Sequence, residues 1–220
     1  MSKSLMDKIN AGREYRSMQF ECRAQAEGTE PSYIVEGYAS TFNESYFMGS
    51  GDGWELYERV SPKAFEKTDM SDVIMQFDHE GRVYARISNG TLTVTTDEHG
   101  LKVSANLGGT EEGRKLCEEI RGGYINKMSF GFTVRGESFS EERKENGVTV
   151  YTRTIDDVEK LYDVSAVSLP ANDGTEISAR KLRDGLTARL EAERLNEERQ
   201  KDIVKELEEK EARLKVLKLL

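Results

Sequence analysis

The amino-acid sequence predicts an α+β fold in which antiparallel β-structure dominates and a charged amphipathic helix follows it. Short runs of aromatic and β-branched residues recur up to Pro170, and glycine-, asparagine- and serine-containing turns separate them, which is typical of short strands. Two intervening segments carry helix-start signals. From Ser178 to Leu220 the chain has no proline, and Gly185 is its single glycine. At 220 residues, the chain fits one compact domain and an appendage.

The first predicted elements are a strand, a long loop and a short helix. The run Tyr33–Ala39 is rich in aromatic and β-branched residues, and it leads into a loop over Asn43–Trp54. Ser61 then offers a hydroxyl N-cap, and Pro62 stands at the first helical position, where a missing N–H costs no hydrogen bond. These signals predict a short helix over Ser61–Lys67.

An antiparallel meander is predicted next. The apolar run Val73–Phe77 indicates a buried strand, and the loop that follows it carries His79. Asn89-Gly90 lies between two β-rich runs and is a strong hairpin signal, because both residues tolerate positive φ. A turn at residues 98–100 leads into Leu101–Ala105, whose alternation indicates a half-buried strand.

A helix and three more strands complete the β-rich part of the chain. Thr110 supplies a capping hydroxyl, two glutamates follow it, and Gly122-Gly123 ends the helix after about three turns. A polar loop is predicted over Glu137–Gly147. The strands are predicted at Lys127–Val134, Val148–Ile155 and Leu161–Leu169.

The C-terminal segment is predicted to form an amphipathic helix with a narrow apolar stripe. Leucine and isoleucine recur at three-, four- and seven-residue spacing among Glu, Lys and Arg. The stripe drifts near Leu195, which argues against a long uninterrupted heptad repeat. A narrow stripe favours docking to a partner, and a merely solvated helix is the alternative. The apolar positions are Leu182, Leu186, Leu190, Ile203, Leu207, Leu214 and Leu217.

Charge and composition argue against several classes of function. The formal net charge of −9 and the pI near 5.0 disfavour sequence-independent nucleic-acid binding, which depends on Lys and Arg. No apolar run approaches the roughly 18 to 20 residues that span a bilayer, and no signal-like run begins the chain. Cys22 and Cys117 lack the spacing of a disulfide framework or a zinc site. We therefore expect a soluble protein of the reducing cytosol, without nucleic-acid or membrane partners.

Three chain segments carry residues suited to nucleophilic catalysis. A serine nucleophile needs a general base and a third group that orients the base, and separate segments supply them. Ser129 is a polar residue in an apolar strand, and Asp163 interrupts another strand, where a carboxylate needs a partner such as His79. Each residue also fits a structural role: a packed histidine, a strand serine bonded to the backbone, or an edge carboxylate. His99 fits a solvated turn.

Five segments in register resemble the caudovirus prohead serine protease family. They are jointly specific, although each is weak alone. The resemblance implies a protease domain over residues 19–177, preceded by an N-terminal extension, 1–18, and followed by a charged helical tail, 178–220. The five segments are Glu36–Ala39, Ser61–Phe65, Met75–His79, Met128–Phe132 and Asp163–Asn172.

The resemblance also implies a fold and a set of catalytic residues. The family is understood as a distant relative of the herpesvirus assemblins, which implies a mostly antiparallel, barrel-like β-domain with surrounding helices. His79 would be the general base and Ser129 the nucleophile. Asp163 would be the third member, at a position where the family usually has Glu. Herpesvirus relatives use a second histidine instead, for which His99 is the one candidate in this sequence.

Two kinds of oxyanion donor are compatible with the sequence. Backbone N–H groups near Phe130 and Gly131 lie beside the candidate nucleophile in the chain. An arginine such as Arg82 or Arg86 is the other candidate, and a solvated strand arginine is its structural alternative.

The function that the resemblance implies is that of a serine endopeptidase of capsid maturation. Such an enzyme acts inside the prohead, in the host bacterial cytoplasm, and needs no metal or organic cofactor. Its implied substrates are scaffold segments, extensions of the major coat protein and itself, and its tail would dock it to the coat lattice or to other copies. The rival interpretation is a non-catalytic capsid scaffolding protein with a protease-like fold. A serine hydrolase of another fold is disfavoured because Ser129 lacks a Gly-x-Ser-x-Gly setting.

Overall fold

The computed structural model describes residues 11–18, 23–24, 32–168, 183–192, 194–196, 198–201, 203–204 and 210. The contacts divide the chain into two compact units, residues 1–180 and 181–220. Several positions used in the sequence predictions lie outside the described residues. They are Cys22, Leu169, the end of the family-like segment at Pro170–Asn172, and Leu182, Leu207, Leu214 and Leu217 of the apolar stripe.

The first unit is built mainly from β-strands, so the predominance of β-structure is confirmed. The described strands form a seven-stranded sheet, in which β1-β10-β11-β5-β4 are successive neighbours and β6 pairs with both β11 and β7, and a four-stranded sheet of order β2-β3-β9-β8. No closed barrel is found among these strands, so barrel-like closure stays a prediction. The strands are β1 (Glu14–Met18), β2 (Arg23–Ala24), β3 (Ile34–Thr41), β4 (Tyr46–Gly51), β5 (Trp54–Val60), β6 (Ile74–Phe77), β7 (Glu80–Arg86), β8 (Leu92–Thr96), β9 (Gly100–Asn106), β10 (Lys127–Arg143) and β11 (Thr149–Val167).

The long hairpin β10–β11 replaces what the sequence predicted as three strands and a polar loop. The predicted loop over Glu137–Gly147 is wrong in extent, because β10 continues to Arg143 and only a short turn precedes Thr149. The two strands predicted after it are one continuous strand, β11. On the β10 side of this ribbon, residues 137–143 are all exposed, and antiparallel pairing with β11 satisfies their backbone groups without burying their side chains.

Parallel pairing along β11 is an exception to the mostly antiparallel structure that the sequence predicted. Residues 149–155 pair in parallel with β5, and Asp163–Ala166 pair in parallel with Ile74–Phe77 of β6. The opposite edge of β11 pairs with β10 in antiparallel orientation. The strand that leads to His79 therefore lies beside the strand that carries Asp163.

The predicted helix over Ser61–Lys67 is wrong, and the segment forms successive turns. Ala64 N–H donates to Ser61 at 3.0 Å and Glu66 N–H to Lys63 at 3.1 Å, both with i to i−3 spacing. An α-helix would use the Ala64 carbonyl for the amide four residues on. Here that carbonyl accepts the Val158 N–H of β11 at 2.8 Å, so the tertiary contact overrides the local helix signal.

The hairpin predicted at Asn89-Gly90 is also wrong, because the two flanking strands belong to different sheets. β7 pairs with β6, whereas β8 pairs with β9. The connection is a 3-10 turn, Ile87–Asn89, which Gly90 closes with φ of 74°. The positive φ that the sequence signal predicted is present, but it serves a crossover between sheets.

The helix α1, Glu111–Arg121, matches its prediction at both ends. The Thr110 hydroxyl accepts a hydrogen bond from Gly113 N–H at 3.0 Å, and Gly123 follows the helix with φ of 77°. Its buried side packs into an apolar core that draws on both sheets. That core includes Val35, Met75, Val103, Leu116, Ile120, Phe130, Phe132, Val164 and Ala166.

The second unit is helical where it is described. Residues 183–192 form a helix, and the described residues from 194 to 210 are helical as well, which confirms a helix in this part of the predicted tail. From residue 191 onward the described side chains are exposed, including Leu195 and Ile203. Within the described parts of the chain, no helix has the length and apolar character needed to cross a membrane.

Candidate active site

The turn between β6 and β7 holds His79 in an uncommon backbone conformation. Asp78 and His79 have φ of 49° and 60°, so the two-residue connection is of the type I′ kind. Asp78 N–H donates to the Ala166 carbonyl at 3.0 Å, and its carboxylate accepts both the N–H and the hydroxyl of Ser168 at 2.9 Å. These three bonds fasten the turn to the end of β11.

His79, Ser129 and Asp163 meet in a continuous chain of hydrogen bonds. The Nε2 atom of His79 lies 2.6 Å from the hydroxyl oxygen of Ser129, and its Nδ1 atom is in close contact with Oδ1 of Asp163. The three residues come from β10, from β11 and from the turn after β6, which are neighbours in the sheet. Ser129 and His79 are fully buried, and Asp163 is 1% exposed.

The alternation of side chains along the strands explains why polar residues occur here among apolar ones. In β10, Phe130 and Phe132 stack in the core with ring centroids 4.5 Å apart, so Ser129 and Gly131 face the opposite side of the sheet. The register pairs Gly131 with Asp163 across the β10–β11 ladder. Both faces of this strand segment are buried, and one of them is the polar site.

This order of carboxylate, imidazole and hydroxyl has a defined chemical capacity. A carboxylate at Nδ1 favours the tautomer with its proton on that nitrogen, which leaves the Nε2 lone pair directed at the hydroxyl. The hydroxyl can then lose its proton to Nε2 as it attacks an electrophilic carbon. The carboxylate would stabilise the imidazolium that results.

The sequence of this chain matches a known family over most of its length. The family model described as caudovirus prohead serine protease matches residues 18–188 of the 220-residue chain. The chain belongs to this family. The resemblance stated from the five sequence segments is thereby confirmed.

One solved structure is weakly similar to this chain. A solved structure of the capsid assembly protease gp21 of bacteriophage T4 is similar with a TM-score of 0.35 and 10% sequence identity, covering 71% of this chain and 98% of that one. No curated protein matches the sequence.

In this member of the prohead protease family, the structure adds Ser165 to the site and gives Gly131 a steric role that the sequence analysis did not foresee. Ser165 is buried and donates a hydrogen bond from its hydroxyl to Oδ1 of Asp163 at 3.1 Å. Its spacing of two from Asp163 places both on one face of β11, and this was the available signal. At Gly131, a Cβ atom would lie 2.6 Å from Oδ2 of Asp163 and 2.6 Å from Cε1 of Tyr15, so glycine is required for space.

The strand β1 is a larger omission, because the sequence predictions treated residues 1–18 as an extension. The Ser129 hydroxyl donates a hydrogen bond to the backbone carbonyl oxygen of Arg16 at 2.8 Å. The Tyr15 ring lies edge-on to the His79 ring with centroids 4.5 Å apart. Burial, and then the charge of Asp163, raises the pKa of Tyr15 to about 12. No sequence signal pointed to these contacts.

The structure does not bring the other candidates to this group. His99 occupies the exposed turn between β8 and β9 in the second sheet, where its ring packs on Tyr38 at 4.6 Å. Both ring nitrogens of His79 are already engaged, by Asp163 and Ser129. The two arginines proposed as oxyanion donors form exposed ion pairs: Arg82 with Glu112 at 3.0 Å, and Arg86 with Asp72 at 2.6 Å.

Proposed function

We propose that this chain is a serine endopeptidase of capsid maturation in which Ser129 is the nucleophile, His79 the general base and Asp163 the group that orients the base. The single observation that carries the proposal is the hydrogen-bonded series Asp163, His79 and Ser129 in a member of the caudovirus prohead serine protease family. The position of Asp163 at Nδ1 favours it over His99 as the third member.

The proposed reaction proceeds through an acyl-enzyme. Ser129 Oγ attacks the scissile carbonyl carbon while its proton passes to Nε2 of His79, and the Asp163 carboxylate stabilises the imidazolium. The C–N bond breaks as His79 gives the proton to the leaving amine, which leaves an ester on Ser129. Water then attacks this ester with His79 again as base, the acyl–oxygen bond breaks, and Ser129 regains its proton.

The substrates follow from the family rather than from the site. We propose that the enzyme cleaves scaffold segments, extensions of the major coat protein and its own chain, inside the prohead and within the bacterial cytoplasm. Self-association and docking of the C-terminal helix to the coat lattice belong to the same proposal.

The deciding experiment is co-expression of the chain with the coat protein of its phage, followed by mass spectrometry of both proteins. Wild type is compared with Ser129→Ala and with Ser140→Ala, a matched serine that is exposed in the same strand. Shortened products in the wild type and in Ser140→Ala, but not in Ser129→Ala, are the expected result. Identical shortening in all three would remove Ser129 as nucleophile. Unchanged masses in all three would favour the non-catalytic scaffolding protein.

A further inference from the structure

The candidate nucleophile and base have no surface that a substrate can reach. Ser129 and His79 both have 0% of their surface exposed. A peptide bond must come within about 3 Å of the serine oxygen for attack, so this arrangement excludes substrate. The covering contacts on the β10 side come from β1, the outermost strand of the seven-stranded sheet.

The strand β1 also competes for the proton that the base needs. A serine hydroxyl has one hydrogen to donate. The Ser129 oxygen lies 2.8 Å from the Arg16 carbonyl and 2.6 Å from Nε2 of His79, so a hydroxyl that donates to Arg16 leaves His79 without its proton. The edge of the Tyr15 ring fills the space against His79. In this position β1 covers Ser129 and also accepts the hydrogen bond of its hydroxyl.

An ion network holds β1 in place. The Arg16 side chain is fully buried, and its guanidinium donates to both carboxylate oxygens of Glu58, with the Nη2–Oε2 distance at 2.7 Å. Arg153 joins the same group, bonding Glu58 at 2.6 Å and Glu14 at 2.9 Å. Burial alone would lower the pKa of Arg16, but the charges of Glu58 and Glu14 raise it. The polar part of the β1 anchor therefore comes from β5 and β11, and the buried Tyr15 ring adds an apolar contact.

The pairing of β1 with β10 is short and lies at the edge of the sheet, so β1 can leave without breaking other described strand pairs. The register joins Glu14 to Phe132 and Met18 to Met128, only five residues, and among the described strands β1 pairs only with β10. A strand edge from which such a segment departs presents unpaired N–H and C=O groups, which is the template on which extended peptides bind. The exposed groups would lie beside Ser129.

We propose that β1 is an intramolecular inhibitor strand, and that activity begins when β1 leaves β10 and an extended segment of the substrate takes its place on the same edge. This inference rests on the proposed function, since it supposes that Ser129 is a nucleophile. Under the alternative, β1 is a permanent structural strand whose loss only damages the site. The two alternatives predict opposite effects of weakening the β1 anchor.

The first test removes the anchor and leaves β10 untouched. Arg16→Met replaces the buried guanidinium with an apolar side chain and leaves Glu58 paired with Arg153. The matched control is Arg135→Met, which removes the same charge from an exposed pair with Asp157. Two rates are measured: amide hydrogen exchange over residues 14–18 and 128–132, and labelling of Ser129 by a fluorophosphonate probe. Both should rise roughly tenfold or more in Arg16→Met alone. Unchanged or lower rates in a folded variant would overturn the proposal.

The second test holds β1 in place and does not depend on the first variant folding. Met18→Cys with Met128→Cys, in a Cys22→Ser background, puts two thiols at directly opposed positions of an antiparallel pair, which is within disulfide reach. The oxidised form should label at Ser129 roughly tenfold or more slowly than the same protein after reduction. Equal labelling of both forms would rule out a gating role for β1. If amide hydrogen exchange shows that β1 leaves β10 but Ser129 is labelled in no form of the protein, the protease proposal fails. The conclusion that β1 can detach would still hold.

Discussion

The carboxylate of Asp163 decides which nitrogen of His79 is free to accept a proton. Asp163→Asn keeps the shape of the buried side chain but presents an amide to Nδ1, which permits the wrong tautomer. We expect kcat for coat-peptide cleavage to fall by about 10⁴-fold with little change in KM. The matched control is Asp157→Asn, which alters the exposed pair with Arg135. A kcat within a few-fold of wild type in Asp163→Asn would contradict the assigned role.

Gly131 leaves room for that carboxylate. A methyl group at this position meets both Oδ2 of Asp163 and the Tyr15 ring at 2.6 Å, so Gly131→Ala must displace both of them. We expect the free energy of unfolding to fall by about 1 to 3 kcal/mol, and kcat to fall with it. The control is Gly136→Ala in the same strand, where the nearest atom to the new methyl is 3.4 Å away. Urea unfolding of the two variants makes the comparison, and equal stability losses would count against this steric account.

At the scale of residues, the sequence predicted more of the site than of its surroundings. Ser129 and Asp163 interrupt apolar strands, where a polar group needs a partner, and the family resemblance joins them to His79. The two-residue spacing of Ser165 from Asp163 was a usable signal, whereas the role of Gly131 depends on the register that sets it opposite Asp163. Register between distant strands is fixed by packing of the whole sheet, and no short-range signal encodes it.

The β6–β7 turn is the element that positions the base. Asp78 has φ of 49° and accepts two hydrogen bonds from Ser168 through its carboxylate. Asp78→Ala removes both bonds and places a residue there that tolerates positive φ poorly. We expect a loss of about 1 to 3 kcal/mol in unfolding free energy and a drop in kcat. Asp78→Asn is the companion variant, because asparagine tolerates this φ and keeps one acceptor oxygen. It should retain most of the unfolding free energy and most of kcat. Similar kinetics for the two variants would show that the turn does not depend on Asp78.

At the scale of elements, local signals located turns and caps but did not assign strand partners. Thr110 and the glycines after α1 predicted a helix that forms as expected, because its bonds are within the helix. The signals at Ser61–Lys67 and at Asn89-Gly90 failed for one reason: a carbonyl or a strand was engaged by a distant part of the chain. Long-range pairing of β11 with β5 and β6 determined both the sheet order and the site.

At the scale of the whole molecule, the role of β1 could not be predicted from composition. A five-residue segment with two charged residues has the composition of a solvated terminus. It joins the sheet because the Tyr15 side chain is fully buried there and because Glu58 and Arg153, more than forty positions away in the chain, complete its ion pairs. An edge strand held partly by ion pairs suits reversible docking, since the charge of a carboxylate partner depends on pH.

The ion network should therefore make the attachment of β1 sensitive to acid. Burial by itself would raise the pKa of Glu14, but the charges and hydrogen bonds of Arg16 and Arg153 lower it from 4.5 to about 2. A carboxyl group with a lowered pKa in the folded protein stabilises it fully above the unfolded value, and that contribution disappears as pH falls through the folded value. Glu58 is shifted in the same direction.

Glu14→Gln tests this sign directly, with Glu141→Gln, an exposed residue of β10, as its control. We expect Glu14→Gln to have a lower urea midpoint than wild type at pH 7, because the neutral amide loses the attraction of two guanidinium groups. The difference should stay constant down to about pH 4.5 and shrink towards zero near pH 2, as wild-type Glu14 becomes protonated. A difference that persists unchanged at pH 2 would mean that the carboxylate charge does not hold β1, and the anchor would then have to be sought in the backbone pairing with β10.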